Sequence, residues 1–324
     1  MQRLAPAAAV AVVLAVAVVA GATAVGGDER RYHPLPSDAP WTTVFDAPAG
    51  IEGLTTDRRG NLYTPGRAGG GPCPIYRTSP SGASAAVVGT IAGPCNPAGL
   101  AFDRDGDLFV ADSGRILTLR PDAAAPPTAT VYADGVPGSN GVAFDKRGDL
   151  WVSDGGTGQG RVWRIGVDRT PVEVFRVQPI ANDVNLVNGV GGVGRDVRGL
   201  PPGAVTITPN GRQAANTEGS QHLVANGLAF DRRGTLFVAD TARGAIWRVS
   251  LDDKGRVRSR TGCDTTFPPN TLCLDNVFVQ HPYLDGADGI VLDRGGNILV
   301  AANERNAIVV VTNEGRAIEL FRNA

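Results

Sequence analysis

Oxygen-bearing side chains stand at four equivalent points of a repeated pattern, each directly before a glycine. These residues are Glu52, Asn140, Asn226 and Asp288. A fifth copy of the pattern carries Ala98 at the same point. Carboxylate and amide oxygens are the ligands that a hard divalent cation such as Ca²⁺ selects. If the four side chains meet at one place, they form an oxygen cage with two negative charges.

Backbone geometry offers a second explanation for three of these residues. Asn-Gly and Asp-Gly pairs are favoured wherever a chain turns, so Asn140, Asn226 and Asp288 could serve the backbone alone. Glu52 has no such turn preference. Its presence at the same register favours the cation site.

The elements that would position these residues are five copies of one segment. The copies begin at Ile51, Pro97, Ser139, Ala225 and Ala287. Each contains a register glycine, an apolar stretch that alternates with period 2, the sequence D-x-x-G and a second alternating stretch. Alternation is typical of strands, and D-x-x-G is typical of a tight turn whose Gly takes a positive φ. Each copy therefore predicts a β-hairpin.

Two further apolar stretches follow most copies, as in GRILTLRP and then ATVYAD after the second copy. Four antiparallel strands that recur roughly every 40 to 50 residues predict the blades of an all-β propeller. The innermost strand of each blade starts near the central axis. We therefore expect the residue before each register glycine to lie at one mouth of the channel.

The number of blades is open between five plus a partial one and six. The interval between Gly141 and Gly227 is about twice the shorter intervals, yet residues 178–222 contain no D-x-x-G hairpin, which indicates an insertion between blades. The stretches Trp41–Phe45 and Ala317–Phe321 both resemble fourth strands that flank a missing blade. The prediction is a six-bladed β-propeller with five clear blade repeats and a degenerate or incomplete sixth.

The N-terminus is typical of an export signal. A basic start, an apolar run and the small residues Ala22 and Ala24 predict a signal peptide over residues 1–24, followed by a linker over 25–40 and the propeller over 41–324. An uncleaved membrane anchor is the alternative. Export makes the chain secreted or extracytoplasmic and permits disulfides. Of the three connectivities we favour Cys73–Cys95 and Cys263–Cys273.

The charge balance argues against polyanionic partners. The formal net charge is −1, and the basic residues are scattered along the chain. Neither a nucleic acid nor an anionic membrane surface is a predicted partner. The sequence leaves the oligomeric state open.

The repeats, with IEGL, SNGVAF, ANGLAF and ADGI as the segments around the four residues, resemble a family of calcium-dependent six-bladed propellers. The family includes senescence marker protein (regucalcin), gluconolactonase and luciferin-regenerating enzyme. The resemblance covers roughly residues 41–321. It implies that Glu52, Asn226 and Asp288 bind the catalytic metal, with Asn140 similar to the remaining Asn, although Gly141 replaces an acidic residue of the family motif.

The resemblance also implies a function. A secreted lactone hydrolase would use a divalent cation, Ca²⁺ before Zn²⁺ or Mn²⁺, to polarise the carbonyl of a small lactone or ester. Asp288 is then the catalytic carboxylate that activates water. A non-catalytic propeller of the NHL type, which binds its partner on the loop face, is the competing interpretation.

Overall fold

The computed structural model describes residues 32–36, 39, 42–68, 70–82, 85–157, 159–178, 225–265 and 267–322. These residues fold into five antiparallel sheets, one for each repeat, which we number blades 1 to 5. Within the described ranges, helical structure is limited to the three short 3-10 turns Leu274–Asn276, Pro282–Leu284 and Asn303–Arg305. The predicted all-β propeller is confirmed.

The strands run outward from the axis in chain order within each blade. Blade 1 contains β1 (Gly50–Ile51), β2 (Thr55–Thr56), β3 (Leu62–Arg67), β4 (Cys73–Thr78) and β5 (Ala85–Ile91). Blade 2 contains β6 (Pro97–Phe102), β7 (Leu108–Asp112), β8 (Arg115–Leu119) and β9 (Thr130–Asp134). Blade 3 contains β10 (Ser139–Phe144), β11 (Leu150–Asp154), β12 (Arg161–Ile165) and β13 (Pro171–Arg176). Blade 4 contains β14 (Ala225–Phe230), β15 (Leu236–Asp240), β16 (Ala245–Val249) and β17 (Val277–Gln280). Blade 5 contains β18 (Ala287–Leu292), β19 (Ile298–Ala302), β20 (Ala307–Val311) and β21 (Ala317–Arg322).

The D-x-x-G segments form the turns between the two inner strands, as predicted. In blade 2, Asp103 Oδ1 accepts hydrogen bonds from the backbone N–H groups of Asp105 and Asp107, both at 2.9 Å. Gly106 has a φ of 87°, a conformation that residues with a side chain rarely adopt. The aspartate therefore stabilises the turn, and the acidic run around it is part of the hairpin.

The core lies between neighbouring blades. Trp151 and Phe175 of blade 3 pack with Val238 and Trp247 of blade 4 in one buried cluster. Such stacking of blades buries both faces of a sheet. A period-2 hydrophobic pattern by itself requires only one buried face.

Register glycines allow the inner strands to approach one another closely. A Cβ atom added to Gly141 would lie 2.3 Å from the carbonyl oxygen of Asn226, and one added to Gly227 would lie 2.3 Å from that of Asp288. Gly53 and Gly99 make the same approach to the following blade. Blades 3 and 4 are thus direct neighbours, although the insertion at about 178–222 separates them in sequence. Most of that insertion lies outside the described residues.

Blade 5 ends this series. A Cβ atom added to Gly289 would meet no described atom within 4 Å, so the described ring is open between blade 5 and blade 1. We call this opening the seam. A sixth blade is not seen in the described part of the chain.

Described residues from the segment before blade 1 contact both sides of the seam. The backbone N–H of Leu35 donates to the carbonyl of Leu320 in blade 5 at 2.8 Å. The rings of Phe45 and Tyr76, the latter in blade 1, have centroids 5.1 Å apart. The prediction of a strand at residues 41–45 is wrong for its described part, since residues 42–45 pack against blade 1 without joining a sheet.

Both predicted disulfides are confirmed, Cys73–Cys95 and Cys263–Cys273. No helix among the described ranges is long and apolar enough to span a bilayer. The predicted signal peptide lies outside the described residues, as does most of the linker.

Candidate functional site

A β-bulge marks the start of the inner strand in blades 2 to 5. The pairing of β10 with β11 shifts between Ser139 and Val142, so Asn140 and Gly141 lie in the bulge. The same shift brackets Asn226 in blade 4 and Asp288 in blade 5, while Glu52 lies in the break between β1 and β2. Bulges redirect side chains and occur often beside active sites. Here the bulge takes the residue before the register glycine out of the alternating side-chain pattern of its strand.

One half of the resulting cluster surrounds Glu52. The carboxylate of Glu52 forms an ion pair with the guanidinium of Arg67 through Oε2 and Nη2. Asn140 Nδ2 lies 3.4 Å from Glu52 Oε1, so blade 3 reaches the side chain of blade 1 across the channel. The side chains of Glu52 and Arg67 are 24% and 35% exposed. These two side chains are therefore partly accessible to solvent.

The other half surrounds Asp288. Its Oδ2 accepts a hydrogen bond from Asn303 Nδ2 at 3.0 Å, and the nearby amide of Asn226 lowers the pKa of this carboxylate. Asn226 is 1% exposed and donates from Nδ2 to Thr241 Oγ1 at 3.0 Å. Thr241 in turn donates to the carbonyl of Ala287 at 2.7 Å. Two blades thus fix the orientation of Asp288.

Arg67 joins the two halves electrostatically. Burial is the main cause that lowers the pKa of Arg67, and the charge of Asp288 opposes that shift. In the same way, the charge of Arg67 lowers the pKa of Asp288. The four predicted residues are thus linked through Arg67, which pairs with Glu52 and acts on Asp288 by its charge, while Asn140 contacts Glu52 and Asn226 interacts with Asp288. We call these five residues the axial cluster.

Sequence reasoning missed Arg67 because it considered only the residue before each register glycine. Arg67 occupies the sixth position of its second strand segment, LYTPGR. The equivalent residues in the other copies are Ser113, Gly155, Thr241 and Asn303. Two of these, Thr241 and Asn303, also contact the register residue of their own blade. Comparison of the five copies at this sixth position would have identified Arg67, Thr241 and Asn303 as further polar candidates.

The presence of Arg67 corrects the predicted charge of the site. Two carboxylates and one guanidinium carry a net formal charge of −1, whereas the sequence predicted −2. Within the described residues, no three His, Cys, Asp or Glu side chains gather at one point. Any cation here must use amide oxygens besides Glu52 and Asp288. These are hard oxygen ligands, so the donor set fits Ca²⁺ once Glu52 is released from Arg67.

Three further carboxylates, at the ends of second strands, have a structural role. Asp112, Asp154 and Asp240 end the second strand of blades 2, 3 and 4 and are fully buried. Each forms an ion pair with an arginine of its own blade, and these partners are Arg115, Arg161 and Arg243. Paired and desolvated carboxylates of this kind hold strand ends together. We do not assign them to the axial cluster.

Burial raises the pKa of Asp288 to about 6, against the lowering effects of Asn303, Asn226 and Arg67. Between about pH 4 and pH 6 the folded protein then keeps a proton that the unfolded chain has released. The stability from this protonated carboxyl is present at low pH and is lost as the pH rises through about 6.

In chelator-treated protein, the melting temperature of the wild type should therefore fall relative to that of Asp288→Asn between about pH 4 and pH 7. Thermal unfolding of both proteins across this range measures the difference. Parallel curves would contradict the assigned pKa.

Comparison with known proteins gives one match to a protein-family profile. A protein-family profile described as an SMP-30/gluconolactonase/LRE-like region matches residues 192–322, a range that contains Asn226 and Asp288 but neither Glu52 nor Asn140. No curated protein sequence matches the chain significantly.

Solved structures share the fold at low sequence identity. A protein assigned as a gluconolactonase has 18% identity and a TM-score of 0.56, over 90% of this chain and 83% of its own. A calcium-binding protein, regucalcin, from Agrobacterium tumefaciens has 17% identity and a TM-score of 0.55, over 86% and 76%. A luciferin-regenerating enzyme has 13% identity and a TM-score of 0.53, over 83% and 76%.

Proposed function

Because the chain carries an SMP-30/gluconolactonase/LRE-like region on a matching propeller fold, we propose that it is a metal-dependent lactone hydrolase. Its substrate is a small lactone or ester that binds at the axial cluster. The observation that supports the proposal is that Arg67 pairs with Glu52, which Asn140 contacts, and acts by its charge on Asp288, with which Asn226 interacts. The family match does not favour the competing non-catalytic NHL-type propeller.

The proposed metal ligands are Glu52, Asn140, Asn226 and Asp288, and the favoured cation is Ca²⁺. A divalent cation held there supplies Lewis acidity, which polarises the lactone carbonyl and stabilises the oxyanion. Glu52 and Asp288 provide the negative charge, and the two amides provide neutral oxygen ligands. The amide nitrogens of Asn140 and Asn226 already face Glu52 and Thr241, respectively. Ligation therefore requires the amide oxygens to turn toward the cation.

Asp288 is the proposed catalytic base. In the metal-free protein burial raises its pKa to about 6, so the carboxylate is ionised at neutral pH, and a bound cation would favour the ionised form further. The water oxygen attacks the lactone carbonyl carbon, and the bond from that carbon to the ring oxygen breaks. The proton taken by Asp288 passes to the departing ring oxygen, so the product is a hydroxy acid. Asn303 and Asn226 hold Asp288 in position throughout.

An extracytoplasmic location is part of the proposal. Two disulfides within the described residues are consistent with it, because such bonds persist mainly in oxidising compartments.

The direct test is a panel of aldono- and acyl-lactones incubated with purified protein, before and after removal of divalent cations by a chelator. Hydrolysis should occur with at least one lactone, disappear on chelation and return when Ca²⁺ is added. Hydrolysis that is indifferent to chelation would contradict the metal. A panel without any hydrolysis would contradict the activity.

A further inference from the structure

Arg67 is more than a partner of Glu52. Its Nε donates to the carbonyl of Pro97 in blade 2 at 3.0 Å, which fixes the guanidinium between two blades. Ala98, the register residue of blade 2, follows directly and adds only a methyl group at that level. The register position of blade 2 therefore supplies no polar side chain to the axial cluster. Arg67 provides the polar group on that side of the cluster.

The hydrogen-bonding capacity of Arg67 is only partly used. Nε is bonded to Pro97 and Nη2 to Glu52, while Nη1 has no partner among the described residues. About a third of the side chain is exposed to solvent. A guanidinium presents its donors in a fixed planar fork that matches a carboxylate with two parallel hydrogen bonds.

The charges of the site favour an anion once a cation is present. The axial cluster alone has a net charge of −1, which repels anions. A divalent cation bound to Glu52 and Asp288 would change that charge to +1 and would compete with Arg67 for the carboxylate of Glu52. Release of Nη2 from Glu52 would then make the complete fork of Nη1 and Nη2 available. A ligand with one carboxylate would neutralise the site.

We infer that Arg67 determines substrate specificity by binding a carboxylate of the substrate, so that the protein acts on anionic lactones in preference to neutral ones. This inference rests on the proposed function, since it assumes hydrolysis at the axial cluster. It goes beyond that proposal by naming the charge of the substrate and the residue that recognises it.

Two lactones of the same ring size test the inference. D-Glucaro-1,4-lactone carries a carboxylate where D-glucono-1,4-lactone carries a hydroxymethyl group. We expect the wild type with Ca²⁺ to show a kcat/KM for the anionic lactone that is about tenfold or more above that for the neutral one. Arg67→Met should bring the ratio close to one, and Arg67→Lys should give an intermediate ratio, because an ammonium keeps the charge but not the fork.

Arg305 provides a matched control. It forms an ion pair with Glu319 in blade 5, with comparable exposures of 22% and 23%. Arg305→Met should leave the ratio of the two kcat/KM values as in the wild type. A ratio that is unchanged in Arg67→Met while hydrolysis persists would overturn the inference and leave the proposed function intact.

If the wild type hydrolyses neither of these two lactones, equilibrium binding decides the inference, and the full lactone panel decides the proposed function. Calorimetric titration with D-glucaro-1,4-lactone in the presence of Ca²⁺ should then show binding about tenfold or more tighter to the wild type than to Arg67→Met. Equal binding, or no binding to the wild type, would overturn it.

Discussion

Replacing Asp288 by Asn is expected to lower kcat/KM for lactone hydrolysis by about a hundredfold or more, because the proposed base and one anionic ligand are lost together. Glu52→Gln should cause a loss of similar size through weaker cation binding. Both replacements keep the size and shape of the side chain. Initial rates at saturating Ca²⁺ measure the chemical defect, and calorimetric titration with Ca²⁺ measures the binding defect.

Glu319→Gln is the matched control for these variants. Glu319 is also a partly buried carboxylate paired with an arginine, but it lies in β21 at the outer edge of blade 5. Its replacement should leave lactone hydrolysis near the wild-type rate. Wild-type hydrolysis by Asp288→Asn, in protein whose thermal unfolding is cooperative, would show that the axial cluster is not catalytic.

Gly227→Ala should destabilise the fold by about 3 kcal/mol or more, while Gly289→Ala should change the free energy of unfolding by less than about 0.5 kcal/mol. The first methyl group would lie 2.3 Å from the carbonyl oxygen of Asp288, a backbone atom of the next blade. The second would meet no described atom within 4 Å. The two glycines occupy the same register, so only the neighbouring blade differs between them. Urea unfolding of both variants measures the difference.

Equal destabilisation by the two substitutions would contradict the seam. It would mean that an element of the protein packs against Gly289 as closely as blade 5 packs against Gly227. Destabilisation by Gly227→Ala alone would support an open ring.

Much of the fold could be predicted from the repeats. The period-2 pattern and the D-x-x-G turns predict the hairpins because both are local properties of the chain. The four strands of each blade follow from the same pattern. Ring closure could not be predicted, because it depends on whether distant inner strands meet. Only the surroundings of Gly289 in the folded chain show the seam.

The candidate site was predicted in part. The residues before the register glycines are recognisable because the bulge recurs at one point of the repeat. Arg67 was not recognisable in this way, since its role depends on contacts that cross from blade 1 to blade 2 and toward blade 5. Asn303 and Thr241 contact the register residue of their own blade, and they were missed because the prediction considered only the residue before each register glycine. They orient the cluster residues from the second strand segment of each blade.

A crystal structure of the protein soaked in Mn²⁺, with anomalous scattering recorded near the manganese edge, tests the central claim most directly. Mn²⁺ prefers the same oxygen ligands as Ca²⁺ and gives a stronger anomalous signal in this experiment. The predicted result is one peak within about 2.5 Å of carboxylate oxygens from both Glu52 and Asp288, with Arg67 moved away from Glu52. An axial cluster without a peak, with Arg67 still paired to Glu52, would contradict the claim that this site holds a catalytic cation.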